Sequence, residues 1–121
     1  MNYQSDELKK RTKDFAIQVI QLWRMLPRTE EARVIGKQLL RSGTSIAANY
    51  RAVCRSRSRA EFIAKLGVVL EESDETVLWI ELLGDTRILS KESTGAILKE
   101  SNETPRHLRG LLSHRKTLIL N

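Results

Sequence analysis

Apolar residues recur at three- and four-residue spacing along most of this chain, and no stretch alternates with period two. Phe15, Val19, Leu22 and Leu26 mark one face of a first helix, with Ala16, Ile20 and Trp23 beside them. Ser5 is its expected N-cap, with Asp6 and Glu7 in the first turn, and Pro27 ends it because the residue before a proline is pushed out of the α region. Thr29 is placed to cap a second helix, with Glu30 and Glu31 at its positive end, running to about Arg57. Its apolar track is Ile35, Leu39, Ile46 and Val53. A second track of small residues, Gly36, Gly43 and Ala47, lets a neighbouring backbone come close. Gly43-Thr44-Ser45 lowers helix propensity there by roughly 1–2 kcal/mol in sum, so packing must hold what is expected to be one continuous helix.

Ser58-Arg59-Ala60-Glu61 has the form of a capping box and opens a third helix. Phe62, Leu66, Val69, Val77, Ile80 and Leu83 form its core stripe, Trp79 lies just off it, and Gly84 sits where a helix C′ residue belongs. Ser90 can cap a fourth helix through Ala96, Ile97 and Leu98. Pro105 lacks an amide hydrogen and clashes with the carbonyl four residues back. Helix 4 therefore either kinks near Pro105 or breaks, with Thr104 capping a new helix that carries Leu108, Leu111 and Leu112.

The fold class is all-α. At 121 residues the chain fits a single domain, residues 1–121, large enough to fold without a disulfide or metal. Cys54 is the one cysteine, which excludes an internal disulfide and makes the cytoplasm the expected compartment. No apolar run approaches the ~20 residues of a membrane span, and the first residues lack an apolar signal core.

Charge sharpens the picture. The net charge is +6, with an isoelectric point near 9.8, and it is unevenly placed. Residues 28–59 carry eight basic and two acidic side chains, whereas residues 60–92 carry three basic and eight acidic ones. Within the basic segment Arg33, Lys37 and Arg41 are spaced by four, as are Arg51, Arg55 and Arg59, with Arg57 nearby. Residues four apart share a helix face, so these form two basic ridges on a helix about 42 Å long at ~1.5 Å per residue. Neutralising phosphates, with release of their counterions, accounts directly for such an excess. The plainer reading is an exposed helix whose arginines pair with the acids of helix 3 or of another subunit.

No catalytic or metal constellation emerges, and no cofactor is expected. Glu71, Glu72, Asp74 and Glu75 lack the Glu-x-x-His pattern of di-metal bundles, since neither histidine lies on helices 2 or 3. These acids are expected to partner Arg41 or the Arg51–Arg59 ridge, inside or between bundles. His107 and His114, seven apart, are about 10 Å apart along a helix axis, too far for one ion. Ser42, Ser45 and Asn49 share a face of helix 2 without a histidine and read as interhelical hydrogen-bonders, not nucleophiles. Trp23 and Trp79 read as packing residues, and Cys54 as structural.

Gln38-Leu39-Leu40-Arg41-Ser42 … Ser45-Ile46-Ala47-Ala48-Asn49-Tyr50, followed by Phe62, Leu66, Glu72, Glu75-Thr76 and Trp79-Ile80, resembles a bacterial four-helix-bundle family. That family was first noticed in intervening sequences inside large-subunit ribosomal RNA genes, and is similar to the accessory variability proteins of diversity-generating retroelements. The resemblance runs from helix 1 through helix 3. It implies a left-handed, antiparallel up-down bundle assembled into a homopentameric ring with a central channel. It further implies non-enzymatic binding of nucleic acid, RNA or DNA, or of a reverse transcriptase. Arg41, Ser42, Ser45, Asn49, Glu72, Glu75 and Trp79 fall on the family pattern as architecture. The Arg51, Arg55, Arg57 and Arg59 cluster departs from it, since relatives often carry acidic or neutral residues there, and Pro105 departs from an uninterrupted fourth helix. Two functions follow as expectations: a nucleic-acid-binding accessory protein acting through helix 2, or a ring that serves as a scaffold for a protein partner.

Overall fold

The computed structural model describes the backbone of residues 3–120 and the side chains of residues 5–111. Four helices follow one another: α1 (Tyr3–Arg24), α2 (Glu30–Cys54), α3 (Arg59–Asp85) and α4 (Lys91–Leu120). No strand occurs among the described residues. Thr29 caps α2, its hydroxyl accepting from the Ala32 amide at 3.3 Å. Ser58 caps α3 in the same way, accepting from Glu61 at 3.1 Å. These caps satisfy amides that the first helical turn leaves without partners.

Each helix packs on its chain neighbours, and α4 closes the square against α1. The partners run in opposite directions. Trp23 and Val19 of α1 meet Gly36 and Gly43 of α2, while Thr94 and Arg109 of α4 meet Gly84 and Asp74 of α3. One core cluster draws on all four helices.

The buried positions alternate in steps of three and four: Leu8, Thr12, Phe15, Val19 and Leu22 on α1; Ala32, Gly36, Leu39, Gly43, Ile46, Tyr50 and Val53 on α2. On α3 they are Leu66, Val69, Ser73, Thr76, Ile80 and Leu83, and on α4 Thr94, Ile97, Ser101, Thr104 and Leu108. This is the seam spacing of packed helices, here with glycine or a hydroxyl residue in many of its places. Most of the hydroxyls bond to a carbonyl of their own helix, as Thr12 does to Leu8 (2.9 Å) and Ser73 to Val69 (2.9 Å). Among these buried hydroxyls one bond crosses between helices: Thr76 Oγ1 donates to Ser42 Oγ at 2.9 Å.

Several expectations are corrected. Ser5 lies inside α1 and is hydrogen-bonded to Cys54 (3.1 Å), so it is not the N-cap. α2 ends at Cys54 with Arg55 as its C-cap, which places Arg57 in the turn. Val77 is only half-buried, because the seam passes through Thr76. Gly84 does not end α3. It is buried against Thr94, and Arg87 takes the left-handed turn with φ 61°. α4 is unbroken at Pro105, and Thr104 is a buried core residue, not a cap. Proline removes the donor that the Ser101 carbonyl would otherwise accept from, and the buried Ser101 Oγ and Thr104 Oγ1 have no partner. Leu112 and His114 lie outside the described side chains.

The glycines separate into two kinds. A Cβ at Gly43 would lie 2.8 Å from both methyls of Val19, whereas nothing lies within 4 Å of one at Gly95. Gly43→Ala is expected to lower the unfolding free energy by about 1–3 kcal/mol through overpacking. Gly95→Ala should raise it by roughly 0.4–1 kcal/mol by restricting the unfolded chain. Urea denaturation of the two variants reads both signs.

Candidate nucleic-acid interface

The core stripe of α2 fixes which residues face away from the bundle. Arg33, Lys37, Ala48, Arg51 and Arg55 all lie opposite it and are exposed. At 3.6 residues per turn, Arg33 and Arg51 are five turns apart and share one bearing, as do Lys37 and Arg55. The two clusters are therefore stacked along a single outward face, about 27 Å apart from Arg33 to Arg51 at ~1.5 Å per residue. Arg41, one turn on from Lys37, is also exposed. Arg57 sits in the α2–α3 turn and Arg59 is the first residue of α3, so the Ser58 cap holds both in place.

The turn end of α2 is anchored from below. Tyr50 is fully buried there, and burial, followed by the neighbouring Cys54, pushes its phenol above the ordinary value. Cys54 is half-buried and bonded to Ser5 of α1. This cysteine pins the end of one helix to the start of another.

The cations are largely free of carboxylates. Arg33 pairs with Glu30 at 3.2 Å across an exposed turn. Lys37, Arg41, Arg51, Arg55, Arg57 and Arg59 have no carboxylate partner within 4.0 Å among the described residues. No acidic residue stands between Ala32 and Ala60. The acids of α3 were expected to partner Arg41 or the Arg51–Arg59 ridge inside or between bundles; within the single chain, no such pair occurs among the described residues. Asp74 instead pairs with Arg109 of α4 at 3.2 Å, and Glu61 with Lys65 at 2.7 Å. That lysine, with help from Arg57, holds the Glu61 carboxyl below the usual carboxylate range. Glu71, Glu75 and Glu81 are exposed and unpaired. Burial and then the charge of Glu75 push the Glu72 carboxyl above the usual range, while Arg41 pulls it the other way from a distance.

The polar residues of the α2–α3 seam divide differently from the expectation. Ser42 does bond across helices, to Thr76. Ser45 donates to the Arg41 carbonyl (2.7 Å) and Asn49 to the Ser45 carbonyl (2.9 Å), both within α2, because neither side chain reaches past its own helix. Glu72 Oε2 and Trp79 Nε1 are shut off from solvent without a hydrogen-bond partner, and Glu75 makes no ion pair. For these three no interhelical bond occurs among the described residues. Nothing in the spacing of Glu72 and Trp79 announces such orphaned atoms. The acid-free run from Ala32 to Ala60, by contrast, was legible from the start.

A groove of about 560 Å³ between α1 and α4 has Phe15 among its lining residues. Its charges close on one another, Lys10 on Asp14 at 2.8 Å and Arg11 on Glu100 at 2.7 Å, and that contact raises the guanidinium's pKa. His107 stands 3.9 Å from Glu103. Among the described residues no cluster of His, Cys, Asp and Glu could hold a metal ion.

Removing the Ser58 hydroxyl tests how firmly the turn holds Arg57 and Arg59. Ser58→Ala should cost about 0.5–2 kcal/mol of unfolding free energy, and Ser58→Gly only a few tenths. Chemical denaturation followed by far-UV circular dichroism distinguishes the two.

The model of a family described as 23S rRNA-intervening sequence protein matches residues 4–110. The fold is similar to the crystal structure of a protein of unknown function from the S23 ribosomal protein family of Bacteroides thetaiotaomicron. The TM-score is 0.81 at 37% identity, over 87% of this chain and 97% of that one. No curated protein matches the chain.

Proposed function

This chain belongs to the 23S rRNA-intervening sequence protein family, and we propose that it is a non-catalytic accessory protein that binds nucleic acid through the outward face of α2. The observation that carries this reading is the line of exposed cations, in which Arg33 alone pairs with a carboxylate among the described residues. A polyanion is the partner such a face is made for. The Arg51, Arg55, Arg57 and Arg59 cluster is the anchor. Arg33, Lys37 and Arg41 extend it along the helix, and their contacts go to phosphates, largely independent of base sequence. No aromatic side chain lies on this outward face to stack on bases. The protein works in the cytoplasm as a homo-oligomeric ring, a pentamer on the family pattern, with a reverse transcriptase as a protein partner in a retroelement setting. No helix among the described residues is long and apolar enough to cross a membrane.

A second reading has its own support. Val68 is exposed on α3, 42%, one turn before Glu72. A ring serving as scaffold for a protein partner would use that face. Salt separates the two readings: it releases nucleic acid in the first and breaks protein contacts in the second.

Fluorescence anisotropy with labelled structured RNA and duplex DNA tests the first reading. Between about 50 and 200 mM salt, neutralisation of six or more phosphates should weaken binding by roughly a thousandfold or more. The Arg51→Glu, Arg55→Glu, Arg59→Glu variant should lose binding while keeping its helicity. Unchanged affinity in that variant would remove α2 from the interface, and absence of binding at low salt would favour the scaffold.

A further inference from the structure

We propose that Trp23, at the α1–α2 end of the bundle, is a stacking platform for an unpaired base of the nucleic acid whose phosphates lie along α2. This rests on the nucleic-acid reading of that helix and deepens it, naming the ligand as a strand with an unpaired nucleotide beside its bound phosphates. α2 exposes no aromatic side chain of its own, since Tyr50 is buried. The neighbouring helix brings one to its edge.

Trp23 is only in part a packing residue. Val19 and Leu22 are buried and fix its place on α1, beside the core stripe. On α2 it meets Gly36, where a Cβ would stand 3.3 Å from Trp23 Cδ1 and 3.5 Å from Nε1. The pyrrole edge of the indole thus rests on the α2 backbone, yet the residue is 41% exposed. An indole held at one edge and open elsewhere combines a fixed orientation with an accessible surface. Because the ring is already held in the free protein, less freedom is lost when a base arrives. Single exposed apolar side chains are common on protein surfaces, so it is the charge around this one that marks it.

Gly36 also locates the cations nearest the ring. Arg33 lies three positions before it and Lys37 one after, at about 60° and 100° round the helix in the same sense, and both are exposed. Arg24 ends α1 directly after Trp23, and Arg28 lies in the turn; these too are exposed. Arg24, Arg28 and Lys37 have no carboxylate within 4.0 Å among the described residues. The acids of this turn are Glu30, which pairs with Arg33, and Glu31. Beyond them no acid stands between Ala32 and Ala60, so a strand anchored by Arg51 and Arg55 has an acid-free path along α2 to the ring. Lys37 and Arg51 are about 21 Å apart on that path at ~1.5 Å per residue. Cations that track a backbone, with an aromatic ring at their edge to take a base, are the composition of single-strand sites.

Fluorescence anisotropy with three probes tests this on the full-length chain. They are a blunt RNA duplex, the same duplex with a single-stranded tail, and that duplex with an abasic tail, which keeps the phosphates and removes the bases. The ordinary tail should bind roughly 5- to 150-fold more tightly than the abasic one, the gain expected of one base on one ring. Trp23→Leu should abolish that ratio and leave the salt dependence of the blunt duplex as in the wild type. Trp23→Phe keeps a ring and should retain most of the ratio. DNA probes of the same design separate the two sugars, and the ratio should appear with whichever binds. In Trp79→Phe the sole tryptophan is Trp23, and its emission should be quenched by the ordinary tail and not by the abasic one. If Trp79→Phe does not fold by circular dichroism, the wild-type signal less that of Trp23→Phe gives the same reading. A Trp23→Leu variant that keeps the wild-type ratio overturns the proposal, as does a Trp23 emission that ignores the tail. Equal binding of the ordinary and abasic tails removes the stack alone, whereas failure of every probe at low salt removes the nucleic-acid reading with it.

Discussion

Val19 rests directly on the α2 backbone at Gly43, where a Cβ would come within 2.8 Å of both its methyls. That close approach governs much else in the bundle. Helices this near each other cannot carry large side chains at every seam position, so glycine, serine and threonine take many of them. A hydroxyl placed there needs a partner, since a buried polar group without one is costly. Most find it one turn back in their own helix, which leaves the packing surface apolar in effect. Ser42 and Thr76 do the same, to Leu39 and Glu72, and in addition meet each other across the seam. Their bond sets the rotation of α2 against α3, and with it the direction in which every exposed side chain of those helices points.

Once α2 is fixed by Gly36, Ser42 and Gly43, Arg33, Lys37, Arg51 and Arg55 have one place to go, away from the core. Of the acids of α3, Glu71, Glu75 and Glu81 are turned outward, and Asp74 meets Arg109 of α4. Exposed pairs contribute little to stability in any case. Charge on these two helices is therefore of small consequence for the fold and of large consequence for what approaches it. A bundle with opposite charge on adjacent faces attracts polyanions to one side and can present the other to a partner of its own kind.

The number, order and type of the elements were legible from period and caps, and Thr29 and Ser58 cap as their positions suggest. About half of the core was not. Thr12, Ser73, Thr76, Thr94, Ser101 and Thr104 are buried, yet a reading that follows apolar residues passes over them and settles on Val77 instead of Thr76. The steps of three and four would have found them, had position been weighed above residue type. Gly84 misled for a related reason: its lack of a side chain serves the approach of Thr94, while an arginine accepts the left-handed turn. Pro105 was overweighted as a breaker, because the flanking α4 positions, Ser101, Thr104 and Leu108, are all anchored in the core. At the candidate site, the residues that face outward could be named from spacing alone. That α3 would leave them unpaired depends on the rotation of one helix against another, and no single segment encodes it.

Cohesion is spread unevenly around the square. The α2–α3 hairpin has a capped turn, a cross-helix hydrogen bond and a continuous seam. The α1–α4 side has a groove between its helices, bridged by Arg11 and Glu100. Further along, α4 carries two unbonded hydroxyls beside a proline. Local opening follows such differences, since regions with few apolar contacts and poorly satisfied polar groups open first. The outward cations of α2 lie on the better-held half. Rigidity there matters because a line of cations about 27 Å long meets fixed phosphates only if its helix does not bend or fray. The looser α4 can open without moving those cations, so the firmer packing and the outward cations reside on the same pair of helices, α2 and α3.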